Sequence, residues 1–307
     1  MIESPERVRI VEVGPRDGLQ NESGQLSVED RIAFIERLAD AGIRHIEAGS
    51  FVSPRWVPSM AGSDQVITGI RRRQDVRYTA LTPNLTGLQR AMDAGVREVA
   101  VFAAASEAFS QKNINCSIDE SMQRFAAVCE AAQQAGVAVR GYVSCAMGCP
   151  WQGDVPAREV ARVTGLLMDI GCYEVSVGDT IGVGTPRQVQ QVLECCMERT
   201  DASQLAVHFH DTYGQALANI LAALQLGIAT VDSSVAGLGG CPYARGASGN
   251  VSTEDVIYML HGMGIETGVD LPALVRTGQW ISAQLQRPVQ SRVSVATASH
   301  SEDGEDP

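Results

Sequence analysis

His208 and His210 flank a single phenylalanine in the run L-A-V-H-F-H at residues 205–210. Side chains two apart on a strand share one face, so both imidazoles can converge on one ion while Phe209 packs the other way. An H-x-H pair alone is equally well explained by two hydrogen-bonded core histidines. With a carboxylate from Asp17 and a side-chain oxygen from Asn250, the four form a mixed oxygen and nitrogen set that leaves positions for water and substrate. Such a set suits Mg²⁺ or Mn²⁺. Two histidines and one carboxylate also describe a non-haem iron triad, and His208, His210 and Cys241 could hold zinc, so an oxygenase is a competing reading.

Arg16 precedes Asp17 and is always charged, which suits it to meet a developing oxyanion; a surface or salt-bridged arginine is the plainer alternative. Glu47 and Asp179 read as partners that orient Arg16 and a histidine rather than as reacting groups. Glu12, near the end of the first strand candidate, is ambiguous in the same way. Residues 234–250 read S-V-A-G-L-G-G-C-P-Y-A-R-G-A-S-G-N, with five glycines, one proline and a lone cysteine. Glycines on that scale let a backbone approach a ligand, at an entropic cost that a mere connector need not carry. A lone cysteine is more often an inert small hydrophobe, so Cys241 gains its interest from the residues around it.

The elements that must position these groups repeat along the chain. A helical pattern ends in glycine at Gly42, Gly95, Gly136, Gly171 and Gly227, and each time a short apolar, β-branched run follows. A glycine just past a helix closes its last turn in the left-handed region, and the run after it suits a buried parallel strand. Adding the runs at 8–13, 78–81 and 205–210 gives eight strand candidates separated by helices. The pattern predicts a single (β/α)8 TIM barrel with its functional groups gathered where strands end. An open doubly wound sheet is the alternative, but no strand is followed by G-x-G-x-x-G. Helical stretches at 253–263 and 271–285 extend the barrel, giving one domain over residues 1–290. The acidic tail, residues 291–307, reads as disordered.

Composition narrows the function classes. The net charge of −12 draws four of its charges from Glu302, Asp303, Glu305 and Asp306, beyond the last arginine, Arg292. No basic footprint suggests a nucleic-acid partner, and no apolar run reaches the length of a membrane span. Only a few residues, Glu3 and Glu6 among them, precede the first strand, which predicts a cytoplasmic protein without a targeting peptide. Eight cysteines without paired zinc spacing then read as reduced thiols, most of them core.

Several segments together resemble the 3-hydroxy-3-methylglutaryl-CoA lyase family: V-G-P-R-D-G-L-Q-N-E at 13–22, S-F-V-S-P-R-W-V-P at 50–58, K-N-I-N-C at 112–116, G-D-T-I-G-V-G at 178–184, and the cysteine loop from end to end. The likeness spans residues 8 to 287. It implies that Asp17, His208, His210 and Asn250 hold Mg²⁺ or Mn²⁺, that Arg16, Glu47, Asp179 and Cys241 serve the reaction, and that Lys112, Asn113 and Arg140 meet the CoA chain. A homodimer is the family expectation.

The implied reaction is a retro-Claisen cleavage of a 3-hydroxy-3-methylglutaryl thioester into acetoacetate and acetyl-CoA. It needs a base for the tertiary hydroxyl, with His208 and Asp17 as the two choices, a donor for the enolate, and a proton source. A cysteine is mostly thiol near neutral pH, so Cys241 reads as a general acid on a closing loop ahead of a nucleophile. Rival readings are a lyase for a longer 3-alkyl substrate such as the isohexenyl thioester, a Claisen-type synthase, and a non-catalytic CoA-thioester binder.

Overall fold

The glycines that end the repeated helical segments, Gly42, Gly95, Gly136, Gly171 and Gly227, all take positive φ, between 66° and 105°. Each closes a helix and turns the chain into the strand that follows. The structure is a computed structural model describing residues 4–22, 24, 26–240 and 249–302. Its strands are β1 (Arg9–Glu12), β2 (His45–Ser50), β3 (Arg77–Leu81), β4 (Glu98–Ala104), β5 (Ala138–Ser144), β6 (Glu174–Asp179), β7 (Leu205–Phe209) and β8 (Thr230–Ser233). They pair in parallel in chain order, and β8 returns to β1, closing the barrel. The open-sheet alternative is thereby excluded.

The helices between strands are α1 (Val28–Asp40), α2 (Ser63–Gly69), α3 (Leu85–Asp93), α4 (Glu107–Ile114), α5 (Ile118–Gln134), α6 (Ala157–Asp169), α7 (Pro186–Met197) and α8 (Ala216–Gln225). Their inner stripes follow the helical period. In α6, Val160, Val163 and Leu167 are buried, and such stripes cover the outward faces of the strands. Phe34, Ile46, Ile67, Leu88, Leu167, Leu193 and Phe209 are among the largest fully buried side chains, all in one apolar cluster. Among the described residues no helix is long and apolar enough to cross a membrane.

The barrel interior carries a polar network beside a small apolar cluster of Leu81, Ala100 and Tyr142. Arg140 from β5, Glu174 and Ser176 from β6, and Asp232 from β8 are at most 3% exposed. Arg140 Nε donates to Glu174 Oε1 at 2.7 Å, and its Nη2 donates to Asp232 Oδ1 at 2.8 Å. Glu174 also pairs with Arg9 near the start of β1.

After β8 come α9 (Thr253–Gly262), α10 (Leu271–Gln284) and α11 (Arg292–Glu302). The last of these corrects the expectation of a disordered segment from residue 291. Ser291 and Ser294 are buried; Ser291 Oγ donates to Asp255 Oδ1 at 2.8 Å and Ser294 Oγ to Glu254 Oε1 at 3.2 Å. These bonds to α9 hold a segment that composition alone would leave loose.

Candidate active site

At the carboxyl end of β1 the chain makes a π-helical turn, Gly14–Gly18, in which Gly18 N–H reaches back to Val13 O at 3.1 Å. Such wide turns often sit at functional sites, and this one bears Arg16 and Asp17 side by side. Arg16 is 6% exposed. Its Nε donates to Glu47 Oε2 at 2.6 Å and its Nη1 to Asp17 Oδ1 at 2.7 Å. The guanidinium also lies 5.7 Å from the centre of the Tyr142 ring. Burial alone would drive the Arg16 pKa down, but Glu47 and Asp17 outweigh it and raise it, so the charge is fixed.

Asp17 is the hinge of the cluster. Its Oδ2 accepts from Asn250 Nδ2 at 2.9 Å and lies 3.9 Å from His208 Nε2. Burial works to raise its pKa, yet Arg16, the two histidines and the Asn250 bond prevail and hold it at about 2. His208 comes from β7 and His210 from one residue beyond its end, with ring centres 5.5 Å apart. One ligand atom each from Asp17, His208 and His210 all lie within 4.8 Å of one another. Burial, reinforced by His208, lowers the His210 pKa to about 4, so its imidazole is neutral near neutral pH and keeps a lone pair. His210 Nδ1 is buried with no hydrogen-bond partner among the described residues. A close carboxylate, two imidazoles and a neutral ring with an unused nitrogen fit a divalent cation.

Asn250 reaches the cluster because its strand-like segment zips onto the end of β7. Val251 N–H donates to Phe209 O at 3.1 Å and Asp211 N–H to Gly249 O at 3.2 Å. The glycines on this path have a steric reason. A Cβ on Gly249 would stand 2.0 Å from Gly239 O, and one on Gly239, at φ 109°, would stand 2.9 Å from Asn250 Nδ2. Cys241 lies outside the described residues.

Asp179, at the end of β6, accepts from Val183 N at 3.2 Å and Gly184 N at 2.7 Å, and burial, against those bonds, raises its pKa to about 6. It shapes the loop before α7. Lys112 and Asn113 are exposed on α4. Arg140 corrects the reading that placed it against the CoA chain: it is 3% exposed inside the barrel, bonded to Glu174, Asp232 and Tyr142. An arginine enclosed by two carboxylates has no face to offer a ligand at the rim. Glu12 is also internal, accepting from Gly14 N at 2.8 Å, Val235 N at 3.0 Å and Thr253 Oγ1 at 2.7 Å.

One site residue escaped the sequence reading. Asp232 on β8 pairs in register with His208 on β7, and its Oδ2 lies 3.4 Å from His208 Nδ1. The available signal was an acid placed directly after the apolar run that follows Gly227.

Residues 7–281 match the model of the family described as HMGL-like. The chain belongs to the HMGL-like family. It is 59% identical over 292 residues to a 3-hydroxy-3-isohexenylglutaryl-CoA/hydroxy-methylglutaryl-CoA lyase of Pseudomonas aeruginosa, covering 95% of this chain and 97% of that protein. It is 58% identical over 294 residues to a hydroxymethylglutaryl-CoA lyase of Pseudomonas mevalonii, covering 96% and 98%. The crystal structure of hydroxymethylglutaryl-CoA lyase from Pseudomonas aeruginosa superposes with a TM-score of 0.95 at 58% identity, covering 96% of this chain and 99% of that one. Every site residue from Arg16 to Asn250 lies within the HMGL-like match, and α11 lies beyond it.

Proposed function

We propose that this chain cleaves 3-hydroxy-3-methylglutaryl-CoA into acetoacetate and acetyl-CoA with the help of Mg²⁺ or Mn²⁺. The observation that carries this reading is the meeting of Asp17, His208 and His210 within 4.8 Å beside the buried guanidinium of Arg16. A divalent ion held by Asp17, His208, His210 and Asn250 would supply Lewis-acid polarisation of the substrate hydroxyl and carboxylate. Arg16 uses Nε and one proton of Nη1 on Glu47 and Asp17, and its Nη2 also contacts Glu47. A guanidinium carries five N–H groups, so donors remain to meet the thioester enolate as the carbon–carbon bond breaks.

For the hydroxyl proton, Asp17 is a poor acceptor: both its oxygens are engaged and its pKa is depressed to about 2. His208 is the stronger base, its pKa raised because Asp232 and Asp17 outweigh burial. An imidazole whose lone pair would be held by a cation has none for a proton, so His208 would serve as ligand or as base and not as both at once. Cys241 is assigned the return of a proton to the enolate.

The Pseudomonas aeruginosa relative is named for both the isohexenyl and the methyl substrate, which makes a longer 3-alkyl group the second reading. The relatives at 58% and 59% identity are lyases, which favours this chemistry over the iron oxygenase. A cytoplasmic location is part of the proposal. Steady-state cleavage of the methyl and isohexenyl thioesters, with acetyl-CoA measured as the common product, tests the assignment. The expected result is efficient turnover of the methyl substrate; turnover of the isohexenyl thioester alone would move the protein to the second reading, and turnover of neither would remove the lyase assignment.

A further inference from the structure

We propose that Asp232 is the positioning residue of His208: it holds Nδ1 from below, so that Nε2 faces Asp17 and the cation. The inference rests on the reading that Asp17, His208 and His210 bind a divalent ion. Asp232 and His208 are register partners on adjacent parallel strands, so their inward side chains stand at the same level of the barrel. Asp232 Oδ2 is 3.4 Å from His208 Nδ1, while Nε2, on the other side of the ring, is 3.9 Å from Asp17 Oδ2.

The carboxylate is itself fixed. Arg140 donates through Nη2 to Oδ1 at 2.8 Å and through Nη1 to Oδ2 at 3.1 Å, and Ser176 Oγ donates to Oδ2 at 2.8 Å. Arg140 is held in turn by Glu174 Oε1 at 2.7 Å and by the Tyr142 hydroxyl at 2.9 Å. The Tyr142 ring also meets the His208 ring edge-on, centroids 6.2 Å apart, and limits its rotation. A carboxylate gripped in two places by a guanidinium is acceptor-only, so the imidazole nitrogen facing it carries the hydrogen. That selects the tautomer whose lone pair is on Nε2, towards Asp17. Outer-shell carboxylates act this way on metal-bound histidines. The polar network of the barrel interior thus has a use: a strut of Arg9, Glu174, Arg140 and Asp232 runs from the start of β1 up to the site histidine.

Two measurements test the assignment. The first is Mn²⁺ affinity of chelator-treated protein, read from the electron paramagnetic resonance signal of free Mn²⁺, for the unaltered chain and for Asp232→Asn. Asparagine at 232 can turn its amide towards Nδ1 and favour the wrong tautomer, and a loss of roughly 10–100-fold in affinity is expected. A folded Asp232→Asn variant with unchanged affinity would overturn the proposal and make Asp232 a counter-ion of Arg140 only. The second is read on the unaltered chain itself: isotope-edited proton–nitrogen NMR of the Mg²⁺-loaded protein, with the His208 ring signals identified by their absence from the spectrum of His208→Gln. A proton on Nδ1 is expected, and an Nδ1 without one would overturn the proposal. If the unaltered chain binds no Mn²⁺, the metal reading itself fails, which is a separate outcome from either of these.

Discussion

Arg16 is the residue on which the chemistry turns, and the structure gives it two tasks. It tethers Asp17 through Oδ1, and it sits on the buried carboxylate of Glu47, which burial pushes up in pKa and Arg16 pulls back. Arg16→Gln keeps a donor for Glu47 and removes the charge that would meet the enolate. Turnover is expected to fall by roughly 10²–10³-fold, with Mn²⁺ still bound; near-normal turnover would take Arg16 out of that role. Arg16, Asp17, His208, His210 and Asn250 were legible in the sequence because each announces itself locally, by a neighbouring reactive residue, a two-residue spacing or a glycine-rich setting. Arg140 was misread for the opposite reason. Its carboxylate partner Asp232 is 92 residues away in sequence, and nothing next to either residue tells a buried ion pair from a ligand contact. Asp232 was missed with it.

At the level of elements, the site depends on how β1, β8 and α9 are stapled together. Glu12 accepts from Val235 N and Thr253 Oγ1, and Glu254 on α9 accepts from Ala236 N at 2.9 Å and Ser252 Oγ at 2.7 Å. Ala236 is held at φ 58°, a conformation rare for a residue with a side chain. Burial raises both carboxyl pKa values from 4.5 to about 7. Each therefore binds its proton more tightly folded than unfolded. Its contribution is fully present below pH 4.5 and is lost as pH rises towards 7, by at most about 3 kcal/mol per group. His45 and His210, lowered to about 4 by burial, act in the opposite sense, so the informative quantity is a difference between proteins. Glu254→Gln is expected to lose less stability than the unaltered chain between about pH 5 and about pH 7 in denaturant titrations. Parallel pH profiles would show that Glu254 keeps its charge throughout. The glycine-to-strand rhythm made the barrel elements readable, whereas α11 was not, because the bonds of Ser291 and Ser294 to α9 are tertiary.

For the whole molecule, the barrel does two things at once. Its outer layer is ordinary apolar packing of strands against helices, and that layer is what periodicity in the sequence reports. Its inner layer joins a charged network to a small apolar cluster of Leu81, Ala100 and Tyr142, and the partners within that network lie too far apart in sequence for periodicity to report. Closure of the sheet is what brings β1, β7 and β8 together, so that Asp17, His208, His210 and Asp232 meet although they come from distant parts of the chain. The claim that this meeting place works as a cation-assisted carbon–carbon lyase is tested most directly by cleavage of 3-hydroxy-3-methylglutaryl-CoA by chelator-treated protein, followed while Mg²⁺ or Mn²⁺ is added back. Acetoacetate is expected to be absent from the stripped protein and to appear as the ion is bound. Full turnover with no divalent ion present, or none with the ion bound, would contradict it.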